Sequence, residues 1–138
     1  MLRLAGVGLG DVVYDLGSGD GRVVIAAAQK FGARGVGIDI NAQLVAQSRA
    51  SAERAGLAGR VRFLQQDLFR TELGEATVIT LNLSPNLNLK LRPTLLRLRP
   101  GTRIVSHGSD LGDWRPDRQT SIRKHVFLWL VPAQISGR

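Results

Sequence analysis

The stretch that decides the fold is VVYDLGSGDGRVVIAAA, residues 12–28. A valine-rich apolar run leads to the acid Asp15, and a short turn with three glycines follows it. A second apolar run, which predicts a helix, comes directly after the turn. A strand, a glycine-rich turn and a helix in this order are typical of nucleotide-binding units, in which the ligand lies at the carboxyl end of the strand and near the amino end of the helix.

Short apolar runs alternate with helical segments along the rest of the chain. This alternation predicts an α/β fold with a Rossmann-like, doubly wound and mostly parallel sheet. The predicted strands cover residues 11–16, 35–40, 60–67, 76–83, 102–108 and 124–132. The first two predicted helices cover residues 21–32 and 42–56, and Asn41 is expected to cap the second.

Prolines mark the segment between the fourth and fifth predicted strands. Pro85 can open a third helix, Pro93 should kink or restart it, and the Pro-Gly pair at 100–101 stops it. After the sixth predicted strand too little sequence remains for a seventh. The last strand of the sheet is therefore expected to be cut short.

Length and composition fit one compact domain, residues 1–138. The chain has no cysteine, which excludes a disulfide scaffold and a thiolate zinc site. No convincing cluster of metal ligands is visible either, and no metal site is predicted. Because no apolar run approaches the length of a membrane span, we expect a soluble cytoplasmic protein without a membrane-spanning segment.

The net charge of +8 is unevenly distributed. Residues 1–89 carry nine Lys and Arg against eight Asp and Glu, whereas residues 90–138 carry ten against three. A basic surface favours acidic partners such as RNA, an anionic membrane or an acidic protein. Surface charges are mostly just solvated, so charge by itself does not choose among these partners.

Two classes of ligand compete for the glycine-rich turn. A dinucleotide site has the spacing G-x-G-x-x-G, with backbone amides that face a pyrophosphate. Here the turn has two acids, Asp15 and Asp20, which would repel a pyrophosphate and suit the positive charges of S-adenosylmethionine. Glycine lets the backbone approach such a ligand closely, and free amides of the turn can face its carboxylate. The predicted cofactor-binding residues of this turn are Asp15, Gly17, Ser18, Gly19, Asp20 and Gly21.

Two further acids come at the ends of later predicted strands. Asp39 ends the second strand, where a carboxylate can accept hydrogen bonds from both ribose hydroxyls of a nucleoside. Asp67 ends the third strand and can accept from the adenine amino group, with Leu68 or Phe69 on the face of the ring. Ile40, directly after the ribose-binding acid, completes the predicted cofactor site.

Three segments, VYDLGSGDGR, GVGIDIN and FLQQDLF, resemble motifs I, II and III of class I S-adenosylmethionine-dependent methyltransferases. The resemblance covers roughly residues 11–115. DLGSGDGR followed by VVIAAA is similar, more narrowly, to small bacterial relatives of the mitochondrial lysine methyltransferases that act on the ATP synthase c-subunit and the ADP/ATP carrier. This implies methyl transfer from S-adenosylmethionine to a macromolecular acceptor, with a protein lysine amine favoured. An RNA methyltransferase and a non-catalytic S-adenosylmethionine-binding module remain alternatives.

Methyl transfer is expected beside the end of the fourth strand. Many amino-group methyltransferases carry Asn/Asp-Pro-Pro-aromatic there, whereas residues 82–86 of this chain are Asn-Leu-Ser-Pro-Asn. The missing aromatic argues against a stacked nucleobase. Asn82 could orient an acceptor amine through its side-chain oxygen, or it could simply end the strand.

His107 follows the fifth predicted strand and is the second candidate catalytic residue. A histidine there could act as a general base near neutral pH, although a lone histidine is more often a hydrogen-bonded structural residue. Asp110 and Trp114 could line the entrance for the acceptor, and packing is the favoured role for Trp114.

About ten residues precede the first predicted strand, whereas most enzymes of the class have helices there. We therefore expect either a minimal class I methyltransferase core with short termini or a fragment of a longer enzyme. An open site of this kind suits a macromolecular acceptor better than a small molecule. The apolar run HVFLWLV, residues 125–131, is expected to be an exposed edge that pairs with a second chain in a homodimer.

Overall fold

The computed structural model describes residues 1–120 and 125–133, which form one sheet with helices on both faces. The elements in chain order are β1 (Val12–Leu16), α1 (Arg22–Phe31), β2 (Arg34–Asp39), α2 (Ala42–Arg54), β3 (Val61–Gln65), a 3₁₀ turn (Leu68–Arg70), β4 (Val78–Leu81), α3 (Pro85–Leu96), β5 (Arg103–His107), β6 (Arg118–Thr120) and β7 (Val126–Leu130).

The sheet has the strand order β3-β2-β1-β4-β5-β7-β6. Strands β1 to β5 pair in parallel, and β7 runs antiparallel between β5 and β6. This arrangement confirms the predicted doubly wound, mostly parallel sheet. The order reverses between β1 and β4, and such a switch point is where open α/β sheets bind their ligands, outside the carboxyl ends of the strands.

Successive residues of a strand point to opposite sides of the sheet, and here both sides are buried. One face is covered by the N-terminal segment, α1 and α2, and its central residues are Val13, Val78, Val105 and Leu128. The other face is covered by α3, and its central residues are Leu16, Ile79, Leu81, Ile104 and Trp129. The two-sided burial explains why the central strands are continuous apolar runs.

The end of the sheet differs from the prediction. The strand at 126–130 is internal, paired with β5 on one side and with β6 on the other. The expectations of an incomplete sheet and of an exposed apolar edge were therefore wrong. The edge strand is the polar, mostly exposed segment Arg118–Thr120, which has no apolar alternation and is defined only by its pairing with β7. Predicted strand residue Lys124, and residues 134–138 where no further strand was expected, lie outside the described residues.

Local signals fixed most of the helix ends. Gly32 has a left-handed φ of 70° at the end of α1, and the Asn41 side chain accepts a hydrogen bond from the Leu44 amide at the start of α2. Pro85 opens α3, as predicted, but the helix does not restart at Pro93 and continues to Leu96. Pro93 lies on the exposed side of α3, and burial of its neighbours Leu91 and Leu95 holds the helix on the sheet.

The first ten residues form turns that pack on the sheet. Leu2, Ala5 and Val7 are buried there, and Arg103 of β5 forms an ion pair with Asp11 beneath them. Among the helices in the described part of the chain, none has both the length and the apolar character to cross a membrane.

Candidate active site

The glycine-rich turn is tied to the end of the neighbouring strand. The amides of Gly17 and Ser18 both donate to the Ile38 carbonyl, at 2.8 and 2.9 Å, and the Gly21 amide donates to the Ser18 carbonyl at 3.0 Å. The Gly19 amide donates to Asp39 Oδ2 at 2.9 Å. These amides are therefore committed within the protein, and the expectation that they are free for a ligand carboxylate was wrong.

The three glycines of the turn differ in what a side chain at each position would contact. A Cβ atom at Gly17 would lie 2.9 Å from Leu83 Cδ2, and one at Gly21 would lie 2.9 Å from both Phe63 and Ser48. A Cβ atom at Gly19 would have nothing within 4 Å. Packing thus requires two of the glycines, while the third leaves open space in which a ligand can approach the backbone. This open space fits the predicted cofactor.

Asp39 is held in place at the end of β2. Its Oδ2 accepts from the Gly19 amide and its Oδ1 accepts from the Asn41 amide, both at 2.9 Å. Each carboxylate oxygen has a second lone pair, so the group can still accept hydrogen bonds from a bound ligand. The side chain is half-buried. The structure therefore brings two predicted cofactor residues, Gly19 and Asp39, into direct contact.

Asp15 lies beneath the turn rather than on its surface, with 4% of the residue exposed. Its Oδ1 accepts a hydrogen bond from Thr80 Oγ1 at 2.7 Å. Burial raises the pKa of Asp15 to about 7, Thr80 opposes this shift, and repulsion from Asp39 and Asp20 adds to it. Near neutral pH this group is therefore partly protonated, and a cation bound nearby would favour its charged form.

Asp20 lies next to a positively charged side chain, that of Arg22 at the start of α1. Its carboxylate forms an ion pair with Arg22, with Nη2 2.7 Å from Oδ2, and the hydrogen bond from Arg22 lowers the pKa of Asp20. The negative charge of Asp20, which was predicted to attract a cationic ligand, is thus partly neutralised by Arg22. A role of Asp20 at the cofactor stays a prediction.

The adenine end of the predicted site lies where β2 and β3 end. Asp67 Oδ1 accepts from the Phe69 amide at 2.9 Å and thereby caps the 3₁₀ turn that carries the half-buried Leu68. Ile40 is 68% exposed, which is unusual for isoleucine. Ile40, Asp67 and Tyr14 are among the residues that line an open cleft of about 900 Å³, and no residue of the glycine-rich turn lines it.

The two candidate catalytic residues lie next to each other. Leu81 of β4 pairs with Ser106 of β5, so Asn82 and His107 follow at the same edge of the sheet. His107 Nδ1 lies 3.4 Å from Asn82 Oδ1. The exposed Asn82 and the half-buried His107 therefore form one polar pair at the carboxyl ends of adjacent strands.

The segment after β5 forms the adjoining wall. Asp110 is exposed, and its Oδ1 accepts from the Gly112 amide at 3.0 Å. Trp114 packs on Trp129 with ring centroids 6.2 Å apart, and its carbonyl accepts from Trp129 Nε1 at 2.7 Å. This contact confirms the packing role favoured for Trp114.

Sequence reasoning missed a buried polar residue behind this wall. Asn88 of α3 is fully buried and donates to groups of the segment that follows β5. Nothing in the local sequence NLNLK separates it from the exposed Asn86, since only the packing of α3 on the sheet tells the two apart. Within residues 1–120 and 125–133 we find no group of three or more His, Asp or Glu side chains that could hold a metal ion.

Comparison with known proteins identifies the family. A model of the ANTKMT methyltransferase domain matches residues 15–118. A protein-lysine N-methyltransferase of Saccharolobus islandicus is 42% identical over 138 residues, which is 95% of this chain and 86% of that protein. An ATP synthase c-subunit lysine N-methyltransferase of Mus musculus is 37% identical over 112 residues, 78% of this chain and 44% of that protein. The chain thus spans less than half the length of this mouse relative.

Two solved structures share the fold, and one of them is named for an RNA acceptor. An RNA methyltransferase from Salinibacter ruber, in complex with S-adenosyl-L-homocysteine, is 51% identical with a TM-score of 0.95, covering 99% of this chain and 91% of that chain. A methyltransferase from Geobacter sulfurreducens, also with S-adenosyl-L-homocysteine, is 30% identical with a TM-score of 0.66, covering 76% and 45%. The predicted class of enzyme and the resemblance to lysine methyltransferases are confirmed. The chain belongs to the family of the ANTKMT methyltransferase domain.

Proposed function

We propose that this chain is an S-adenosylmethionine-dependent methyltransferase that methylates a lysine amine of a protein. The observation that carries the proposal is the 42% identity to a protein-lysine N-methyltransferase over 95% of the chain. The mouse relative, which is named for the same kind of acceptor, supports it. The catalytic interpretation is favoured over a non-catalytic binding module because these relatives are methyltransferases.

The cofactor would be held by the glycine-rich turn and the strand ends. Asp39 would accept from the ribose hydroxyls, and the open space at Gly19 would admit the ligand. Ile40 and Leu68 would cover the adenine ring, and Asp67 would accept from its amino group. When bound, S-adenosylmethionine supplies an electrophilic methyl group for in-line transfer to a neutral nucleophile.

The acceptor amine would lie beside the Asn82–His107 pair, at the carboxyl ends of β4 and β5. The Asn82 side-chain oxygen would accept an amine N–H and orient the nitrogen lone pair toward the methyl group. The acceptor lysine must lose a proton first, and partial desolvation at the strand ends lowers its pKa. His107, whose Nδ1 lies 3.4 Å from Asn82 Oδ1, is placed beside the amine to take up that proton.

The cellular location and the oligomeric state are two further parts of this proposal. A cytoplasmic location stays a prediction. A homodimer also stays a prediction, without its original argument, because β7 is covered by β6 on one side and by β5 on the other. Light scattering at micromolar concentration tests the dimer, and a monomeric mass would contradict it.

A labelling experiment tests the proposed acceptor. The purified chain is incubated with methyl-tritiated S-adenosylmethionine and a cell extract, and the labelled material is then treated with protease or nuclease. We expect protease to release the label, and mass spectrometry to place the added methyl groups on lysine. Asn82→Ala serves as the inactive control. Label that is absent from lysine would contradict the proposal.

RNA is the second candidate acceptor. The Salinibacter ruber relative, 51% identical, is named an RNA methyltransferase. The ten cations against three acids in residues 90–138 also suit a polyanion. Against RNA stands the sequence Asn-Leu-Ser-Pro-Asn at 82–86, which offers no aromatic ring to stack on a base. Nuclease release of the label in the same experiment would favour RNA.

A further inference from the structure

A buried polar network lies directly behind the Asn82–His107 pair. Asn88 Nδ2 lies 3.1 Å from Ser106 Oγ, 3.3 Å from the Ser109 carbonyl oxygen and 3.1 Å from the Asp110 carbonyl oxygen. Ser106 Oγ in turn donates to the Ser109 carbonyl at 2.6 Å. One amide group thus connects α3 with both β5 and the segment that follows it.

This network is costly to bury and is fully enclosed. Asn88 and Ser106 are both 0% exposed, so their polar groups have lost their bonds to water. The Asn88 Oδ1 atom has no hydrogen-bond partner in the part of the chain that the structure describes. The side chain is therefore held by its Nδ2 alone, and the three oxygens around that nitrogen fix the orientation of the amide.

The network lies one residue away from the proposed acceptor site on β5. Ser106 directly precedes His107 in β5, and its partner Leu81 directly precedes Asn82 in β4. Asn88 lies in the α3 helix, which begins three residues after Asn82.

Two side chains of α3, Asn88 and Arg92, bond to the segment after β5: Asn88 to Ser109 and Asp110, and Arg92 to Leu111 and Asp113. Of these two, Asn88 is the buried one and the one that also bonds to β5 itself, through Ser106.

We propose that Asn88 is a positioning residue that sets the distance between Asn82 and His107 in the acceptor site. This inference rests on the proposed function, because the distance between Asn82 and His107 matters only if the acceptor amine binds beside them. Asn88 would act through its bonds to Ser106, which precedes His107, and to the carbonyls of residues 109 and 110, which follow it. Sheet pairing keeps β4 and β5 together, so the loss of Asn88 is expected to change the local orientation of His107 and not to separate the strands.

The test variant is Asn88→Leu, which keeps the volume of the side chain and removes its donors. Because the carbonyl acceptors of Ser109 and Asp110 then lose this donor, Asn88→Leu is expected to lower stability, and its melting temperature is measured alongside. Asn86→Leu, on the exposed side of the same helix, is the matched control. Ser106→Ala removes one member of the network and is the smaller change if Asn88→Leu does not fold.

Two measurements separate positioning from a merely structural role. The first is the NMR signal of the His107 ring, which is readily assigned because the chain has only two histidines. The second is kcat/KM for the protein acceptor, compared with the Kd for S-adenosylhomocysteine. We expect Asn88→Leu to shift the His107 signal more than that of His125, to lower kcat/KM by about tenfold to a hundredfold, and to change the Kd by less than about twofold.

Each outcome decides between the alternatives. If Asn88→Leu lowers only the melting temperature, with wild-type kcat/KM and an unchanged His107 signal, the residue is structural and the inference is wrong. If the unsubstituted protein transfers no methyl group to protein, the proposed function is lost. The His107 signal then still decides whether Asn88 sets the geometry of the pair.

Discussion

At the scale of single residues, Asp39 connects the fold to the proposed cofactor site. It holds the glycine-rich turn through Gly19 and the start of α2 through Asn41. Asp39→Ala should weaken binding of S-adenosylhomocysteine by roughly 1–3 kcal/mol, because a charged acceptor is lost from a half-buried site. Isothermal titration calorimetry measures the change, and Glu53→Ala, which removes an exposed acid of α2, is the control. Unchanged affinity would mean that the ribose lies elsewhere.

Asp15 gives the fold a pH dependence with a defined sign. Its pKa is raised from 3.8 to about 7 in the folded protein, chiefly by burial. At pH values between 3.8 and about 7, the folded chain keeps a proton on Asp15 that the unfolded chain has lost. The free energy of unfolding therefore falls as pH rises through this range. Above about pH 7 the folded chain has lost this proton as well, so the stability that protonated Asp15 contributes is gone.

Asp15→Asn removes this titration and keeps an oxygen for Thr80. The free energy of unfolding of Asp15→Asn relative to the unsubstituted protein should therefore rise from pH 5 to pH 8 by about 1–3 kcal/mol. Urea unfolding without cofactor measures it at both pH values. A difference that is the same at both would show that Asp15 is already ionised at pH 5.

Gly19 and Gly21 should respond differently to alanine. Both have positive φ, 56° and 84°, so alanine costs about 1–2 kcal/mol at either position. Gly21→Ala also clashes with Phe63 and Ser48 and should lower stability further. Gly19→Ala meets no protein atom, so it should fold and lose cofactor affinity by about tenfold or more. Thermal melting and calorimetry compare the two, and equal affinities for both variants would contradict the proposed approach at Gly19.

At the scale of elements, β7 shows how pairing decides what a sequence run becomes. Trp129 is fully buried against α3, whereas the next residue, Leu130, is 44% exposed. Trp129→Ala should lower the free energy of unfolding by about 3–5 kcal/mol, as expected for a large side chain removed from a core. Leu130→Ala should cost less than about 1 kcal/mol. Urea unfolding measures both, and similar losses would contradict the burial of Trp129 and the exposure of Leu130.

At the scale of the whole molecule, the charge of +8 should govern how the acceptor is captured. Opposite charges steer association, and salt screens this attraction over a distance of about 10 Å at 0.1 M. We expect KM for an acidic protein acceptor to rise several-fold as salt increases from about 50 to 200 mM, with little change in cofactor affinity. Steady-state kinetics at several salt concentrations test this. A KM independent of salt would show that contacts other than charge select the acceptor.

The sequence by itself determined the type of fold and the residues that we propose hold the cofactor. Each of these signals is local: alternating strands and helices, the turn with Gly19, the cap at Asn41, and acids directly after successive strands. Parallel strands then bring these acids to one edge of the sheet, as the contact of Gly19 with Asp39 shows.

Only the tertiary structure decided the features that depend on residues far apart in the chain. Asp15 looks like the other acids in sequence, but its place in the buried strand β1 raises its pKa, and the hydrogen bond from the distant Thr80 only partly opposes this shift. The polar strand Arg118–Thr120 exists only because β7 pairs with it. Asn88 differs from Asn86 only through the helix face that meets the sheet, because burial is a property of packing and has no local sequence signal.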